Sequence, residues 1–216
     1  MDYSALRRRM VESQLRTNKI TDDAVLDAMG EVPRELFVPR ALRSVAYLDE
    51  DLRIAPGRYL MEPMVLGRLL HLAEVKASDR ALVIGCGNGY SAAVLARLAN
   101  SVVAVESDAA LAQKAPELLA ELGATNVSLV RGPLTAGHPA QAPYDAILFD
   151  GAIAEVPEAI ARQLSIGGRL VAVLQADGPG RAILAARTEA GLSQRVVFDC
   201  SVPLLPGFAK APSFVF

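Results

Sequence analysis

From Asp79 onward the chain alternates short, wholly apolar runs with segments of helical spacing: RALVIG, YSAAVLARLA, SVVAVE, DAALAQKAPELLAELG, NVSLV, YDAILFD, VPEAIARQLS and GGRLVAVL. Strands apolar on both faces and separated by helices predict a mostly parallel α/β sheet covered on both sides. The last stretches, AILAARTEAG and LSQRVVFDCSVPLL, are β-compatible on either side of an Ala-Gly turn and predict an antiparallel pair closing the sheet edge. Ahead of Asp79 the pattern is different. Residues 4 to 56 form a helical preface, with Leu6, Met10 and Leu15 on one face of a first helix and TDDAVLDAM as a second helix with a capped, acidic first turn. YLDEDLRIAPGRYLMEP then predicts loop or short strand. MVLGRLLHLAEV returns to helical spacing through Met64, Leu69, Leu70 and Leu72. The division this suggests is an N-terminal extension over residues 1–78 and a sheet core over 79–216.

Composition narrows the function classes. With 216 residues, 52% of them apolar, the chain can bury one core, or one core with a modest extension. A formal charge of -2 with interspersed signs gives no basic field for nucleic acid or anionic lipid. The only dense basic run, Arg7 to Arg9, points three ways on a helix and suits a solvated face. The opening MDYSALRRRM has no apolar signal core, and no stretch approaches the roughly 18 apolar residues of a membrane span, so a cytoplasmic protein is expected. Two cysteines, Cys86 and Cys200, are too few for a disulfide framework, and His71 and His138 are too few for a histidine metal site or a nucleophile triad. Chemistry without a metal is expected.

The strongest local signal is VIGCGNGY. Gly85, Gly87 and Gly89 follow an apolar strand and precede a helix starting near Tyr90, where backbone N–H groups can approach a ligand closely. A dinucleotide fingerprint requires glycine at the position of Tyr90, which disfavours NAD and FAD, and no Gly-Lys-Ser/Thr follows to make a phosphate loop. G-x-G-x-G instead resembles the first motif of class I methyltransferases, which bind S-adenosylmethionine. Glu106, at the end of SVVAVE, is a carboxylate placed to accept both ribose hydroxyls. Cys86 lies within the loop and suits a small loop residue.

Longer phrases carry a more specific likeness. MVESQLRTNKITDDAVLDAMGEVPRELFVP, AYLDEDLRI, VIGCGNGYSAAVLARLANSVVAVES, ATNVSLVRG, APYDAILFDGA and VPEAIARQLSIGGRLV, in that order, resemble the protein-L-isoaspartate O-methyltransferase family. The resemblance implies a Rossmann-like class I fold with a seven-stranded sheet, S-adenosylmethionine as cofactor, and isoaspartyl residues of damaged proteins as acceptors. A monomer or homodimer is expected. Gly85, Cys86, Gly87, Gly89, Tyr90, Glu106 and Gly132 are the implied cofactor residues.

The acceptor side departs from the family. Its G-Q-T-I-S-Q-P motif, whose serine contacts the substrate carboxylate, corresponds here to GRYLMEP at residues 57 to 63. Met61 stands in place of the serine, Tyr59 of the threonine and Glu62 of the second glutamine. A thioether donates no hydrogen bond, and Glu62 repels an anionic substrate if it points inward. Arg58 and Tyr59 are the nearby donors able to substitute. On the cofactor side, Val83 stands where the family has an acidic residue, and Gly132, Pro133 and Leu134 replace its G-D-G. Asp150 sits where other class I methyltransferases place bases or metal ligands, though an aspartate that caps a following helix or stands in a loop is the preferred reading. Tyr59, Met61 and Asp150 are therefore the candidate catalytic positions. Two other readings remain open at this point: the same fold with a different acceptor, and a non-catalytic binding protein.

Overall fold

The computed structural model describes residues 1–176 and 178–210. Helix α1 (Tyr3–Met10) is capped by Asp2, whose carboxylate accepts from the Ala5 N–H. The first helix is regular only to Met10. It widens into a π turn over Val11–Leu15 and tightens over Arg16–Asn18 before Lys19 reverses the chain at φ +66°. Ser13 and Thr17 explain the break, since their hydroxyls bond the carbonyls four residues back and compete with the helix ladder. Helix α2 (Asp23–Glu31) follows, with Asp22 as its cap.

The stretch expected as loop or short strand is a two-stranded hairpin, β1 (Leu52–Ala55) against β2 (Arg58–Leu60), turned by Gly57 at φ +67°. Pro63 opens α3 (Pro63–Ala73), a position where its missing N–H costs nothing.

The core alternates as predicted: β3 (Arg80–Ile84), α4 (Tyr90–Leu95), β4 (Ser101–Glu106), α5 (Ala109–Glu121), β5 (Val127–Arg131), β6 (Tyr144–Ile153), α6 (Glu158–Ala161), β7 (Leu164–Leu174), β8 (Arg181–Thr188) and β9 (Gly191–Asp199). The seven strands lie in the order β5-β4-β3-β6-β7-β8-β9. Strands β3 to β7 are parallel, and β8 and β9 close one edge antiparallel. The connections run outward in opposite directions from β3, so the crevice that such sheets offer to ligands opens beyond the ends of β3, β4 and β6.

Two local expectations are adjusted. VPEAIARQLS is helical only over Glu158–Ala161, because Leu164 already pairs with Tyr144 and draws the chain back into the sheet. The final hairpin turns on Glu189 and Ala190, while Gly191 pairs with Thr188 as the first residue of β9.

Alternate strand residues face opposite layers. Ala81 and Val83 join Met10, Leu26, Met29, Leu66, Leu70 and Val94 in one apolar cluster. Leu82 and Ile84 join Ile147, Phe149, Leu170 and Ile183 in another. Residues before Asp79 thus share their core with one face of the sheet. Among the described residues no helix is long and apolar enough to cross a membrane.

Candidate active site

The glycine loop leaves β3 with Gly85, Gly87 and Gly89 at φ +81°, +57° and +98°. Side chains rarely adopt these values, which explains the glycines. The loop is tied down by its own backbone: Gly85 N–H donates to the Val105 carbonyl at 2.8 Å and Gly89 N–H to the Cys86 carbonyl at 2.8 Å. Cys86 is buried, with its sulfur 3.7 Å from the Gly87 carbonyl, and burial pushes its thiol well above the ordinary range. It is a packing residue of the loop and no nucleophile.

Glu106 ends β4 and is fully buried. One carboxylate oxygen accepts from Gly87 N–H and from an Arg58 guanidinium nitrogen, each at 2.7 Å. The other accepts from Ser107 N–H and Asp108 N–H, each at 2.8 Å. Gly132, at the end of β5, donates its N–H to the Glu106 carbonyl at 3.0 Å, and a Cβ there would meet nothing. Gly85, Cys86, Gly87, Glu106 and Gly132 are thus brought together at the carboxyl ends of β3, β4 and β5.

The hairpin that begins the GRYLMEP match lies directly over these strand ends. The same Arg58 nitrogen that reaches Glu106 also donates to the Gly85 carbonyl at 2.8 Å. Ile54 of β1 sits over Gly87, its Cδ1 2.8 Å from where a Cβ would be. Leu205 sits over Gly85 in the same way at 2.6 Å, and over Gly151 at 2.8 Å. The cavity left among Asp51, Arg58, Tyr59, Met61, Asp150 and Leu205 is about 10 Å³, room for no more than one water molecule. Tyr59, Met61 and Asp150 therefore line one small space beside the glycine loop. Leu205 is held there because residues 203–208 run along β6: Ala152 N–H donates to the Pro203 carbonyl, Leu205 N–H to the Ala152 carbonyl, and Phe208 meets Phe149 edge to face. The closing LPGFAKAPSFVF, whose prolines and phenylalanines suit an extended tail packed on the sheet or on a partner chain, lies on the sheet as far as Phe208; residues 211–216 lie outside the described part.

Asp150 caps no helix. Strand β6 runs on to Ile153, and α6 begins only after Pro157. The Asp150 carboxylate is buried, accepts from the Ser91 hydroxyl at 2.6 Å through one oxygen, and leaves the other without a partner. Burial pushes it up to about 6, against the opposing pull of Ser91, Arg58 and Arg34. Glu62 is half-buried beside Asp51 and Asp49; burial first, then those two charges, push it up to about 7. Burial also raises Asp51, whose carboxylate accepts from the Glu62 N–H at 2.9 Å.

Arg34 is the main residue that motif reasoning passed over. It is fully buried, donating from Nε to the Ala46 carbonyl at 2.7 Å and from Nη2 to the Met61 carbonyl at 2.6 Å. Its guanidinium lies 5.1 Å from the centre of the Tyr90 ring, which also packs edge to face on Phe37. Tyr90 is thus turned toward the N-terminal segment. The available signal was an arginine inside the apolar phrase VPRELFVP, where a buried charge requires partners. Ser91 and Asn88 were also missed; the Asn88 amide donates to the Phe37 carbonyl at 2.7 Å. Arg58 Nε, Asn88 Oδ1 and Asp150 Oδ1 are buried without partners, while the Arg34 guanidinium and the Tyr90 hydroxyl face each other out of water. Such a concentration of unmet polar atoms marks a place built for a ligand or for rearrangement.

A seven-stranded, mostly parallel sheet with a glycine loop after its first parallel strand and a carboxylate at the tip of the next defines a Rossmann-like methyltransferase class. Comparison with known proteins narrows it. A sequence model of the family described as Protein-L-isoaspartate(D-aspartate) O-methyltransferase (PCMT) matches residues 6–204. The protein-L-isoaspartate O-methyltransferase of Methylorubrum extorquens is 43% identical over 97% of this chain and 92% of its own. That of Methanoculleus marisnigri is 45% identical over 77% and 76%. A solved protein-L-isoaspartate O-methyltransferase superposes with TM-score 0.82 at 26% identity, over 94% of this chain and 67% of its own. The fold is shared with a Plasmodium falciparum structure at TM-score 0.78 and 20% identity, covering 92% and 98%. The chain belongs to the protein-L-isoaspartate O-methyltransferase family and is an S-adenosylmethionine-dependent methyltransferase.

The backbone fits that donor. Gly85 and Gly87, both of positive φ, leave room beside the loop, and a buried carboxylate stands at the adjacent strand tip. Side chains from the hairpin and from the 203–208 segment fill that room in the arrangement seen.

Proposed function

We propose that the protein methylates the side-chain carboxylate of isoaspartyl residues in proteins or peptides, with residues 57–63 as the acceptor-holding segment. We assign the donor to Gly85, Cys86, Gly87, Gly89, Glu106 and Gly132, with Tyr90 supporting the loop from behind. Residues 1–78 form the acceptor-side extension and 79–216 the donor-binding core, in a cytoplasmic monomer or homodimer. The observation that carries this reading is that the segment matching the family's acceptor motif lines one space with Asp150, next to the glycine loop.

When bound, S-adenosylmethionine supplies an electrophilic methyl group. The acceptor carboxylate is the nucleophile, so the protein has to orient it and exclude water. Met61 is buried and supplies only apolar contact. Tyr59, at the same cavity, is a phenol able to donate to a carboxylate. Asp150, in its protonated form, donates a hydrogen bond. The Glu62 carboxyl does not line this cavity, which reduces the repulsion anticipated for it.

The test is methyl incorporation into an isoaspartyl peptide against its aspartyl control. The expected result is slow transfer to the isoaspartyl peptide alone, raised about tenfold by Met61→Ser, which restores one donor to the carboxylate. Equal incorporation into both peptides, or none into either, refutes the acceptor assignment.

A further inference from the structure

Glu106 has no acceptor position left. A carboxylate offers about four lone-pair sites. Gly87 N–H, Arg58, Ser107 N–H and Asp108 N–H occupy them at 2.7 to 2.8 Å. Three of these donors are backbone groups of the loops around the carboxylate and stay with it. The fourth comes from the hairpin, 48 residues earlier in the chain. Arg58 and Glu106 are 3% and 0% exposed, so the pair is formed out of water. A ribose diol binds a carboxylate through two adjacent hydroxyl donors, and Arg58 already holds the position that one of them needs.

The rest of the closure comes from the same neighbourhood. Ile54, on the hairpin, covers Gly87, and Leu205 covers Gly85 and Gly151. The hairpin is only two short strands with an unobstructed glycine at its turn. The closed arrangement also leaves Arg58 Nε buried with no acceptor. An unmet charged donor is costly, and release to water recovers its hydrogen bond. The ion pair therefore holds the hairpin without locking it.

We infer that Arg58 is an internal competitor for the donor's ribose: the Arg58–Glu106 pair keeps the donor cleft closed, and S-adenosylmethionine binds only after Arg58 withdraws. This rests on S-adenosylmethionine being the donor and adds how its affinity is set. Apparent affinity is then the intrinsic affinity reduced by the fraction of chains that are open. Arg58 is thus an affinity-determining residue for the donor, a role separate from any contact with the acceptor.

S-adenosylhomocysteine, titrated calorimetrically into the full chain, tests this without any methyl transfer. Arg58→Gln keeps a polar side chain, shortens it and removes the charge. It should bind about tenfold tighter or more, the gain expected when a closed state holding 90% or more of the population is abolished. Leu205→Ala should also bind tighter, by a smaller factor. In stopped-flow mixing the parent's observed rate should level off with ligand concentration, because opening limits it, and Arg58→Gln should raise or remove the plateau. Circular dichroism checks that each variant is folded, and if Arg58→Gln is not, Leu205→Ala and the parent's plateau decide the matter. Unchanged or weaker binding by folded Arg58→Gln overturns the inference while leaving the donor assignment intact. Failure of the parent and all variants to bind overturns both.

Discussion

The glycine loop and the hairpin above it meet in one cleft but are held in opposite ways. The loop is secured locally: its hydrogen bonds run to the next strand and within its own turn, and its positive φ values come from the glycines themselves. The hairpin is secured at a distance, by Arg34 holding the Met61 carbonyl, by Arg58 on Glu106 and by its own Ile54 resting on Gly87. A site of this kind has a rigid floor and a conditional cover. The floor determines which ligand class fits, and the cover determines how readily it enters.

Four changes test that division. The largest effect is expected for Arg34→Met, which removes the donors to two buried carbonyls. A loss of about 3 kcal/mol in urea unfolding is expected, because each unsatisfied buried group costs about 1–3 kcal/mol. A loss below about 1 kcal/mol would mean that the hairpin is anchored elsewhere.

Gly85→Ala comes next, at about 2 kcal/mol. It combines positive-φ strain with a Cβ that would lie 2.6 Å from Leu205. Adding Leu205→Ala should recover part of the loss. Strict additivity in that double-mutant cycle would show that the floor and the cover do not touch as described.

Ser91→Ala should cost about 1–2 kcal/mol at pH 7.5 and less at pH 5. Its hydroxyl supports an ionised Asp150, and Asp150, at about 6, is mostly protonated at the lower pH. An equal cost at both pH values would remove Asp150 from the titrating groups of the cleft.

The smallest effect concerns Glu62. Its folded value, about 7, lies above the ordinary unfolded value of about 4.3, so the folded chain holds a proton that the unfolded chain releases over that interval. That contribution to stability is present below pH 4 and is lost as pH rises through 7. Glu62→Gln should therefore raise Tm relative to the parent at pH 8 and not at pH 4, by on the order of 1 °C after screening of this half-exposed group. No difference between the two pH values would place Glu62 in open solvent.

Much of the fold was legible because the signals are local. Apolar runs, helical spacing and the closing antiparallel pair determine strand identity over β3 to β9, and the three glycines state their own φ requirement. Asp150 shows where such reasoning stops. A strand-end aspartate before a helix suits a cap, but β6 continues past it and Ser91, 59 positions away, claims the carboxylate. Arg34 is a second case, since nothing near it in sequence reveals that its partners are the carbonyls of Ala46 and Met61.

By itself the sequence determined the parallel sheet, the glycine loop, the carboxylate at the tip of β4 and the altered GRYLMEP segment, because each depends on residues a few positions apart. Only the tertiary structure decided that Arg58 pairs with Glu106 and that Ile54 and Leu205 cover the glycines. Those contacts join segments dozens to more than a hundred residues apart. Whether a buried charge meets its partner there depends on how the hairpin and the chain's end dock on the sheet.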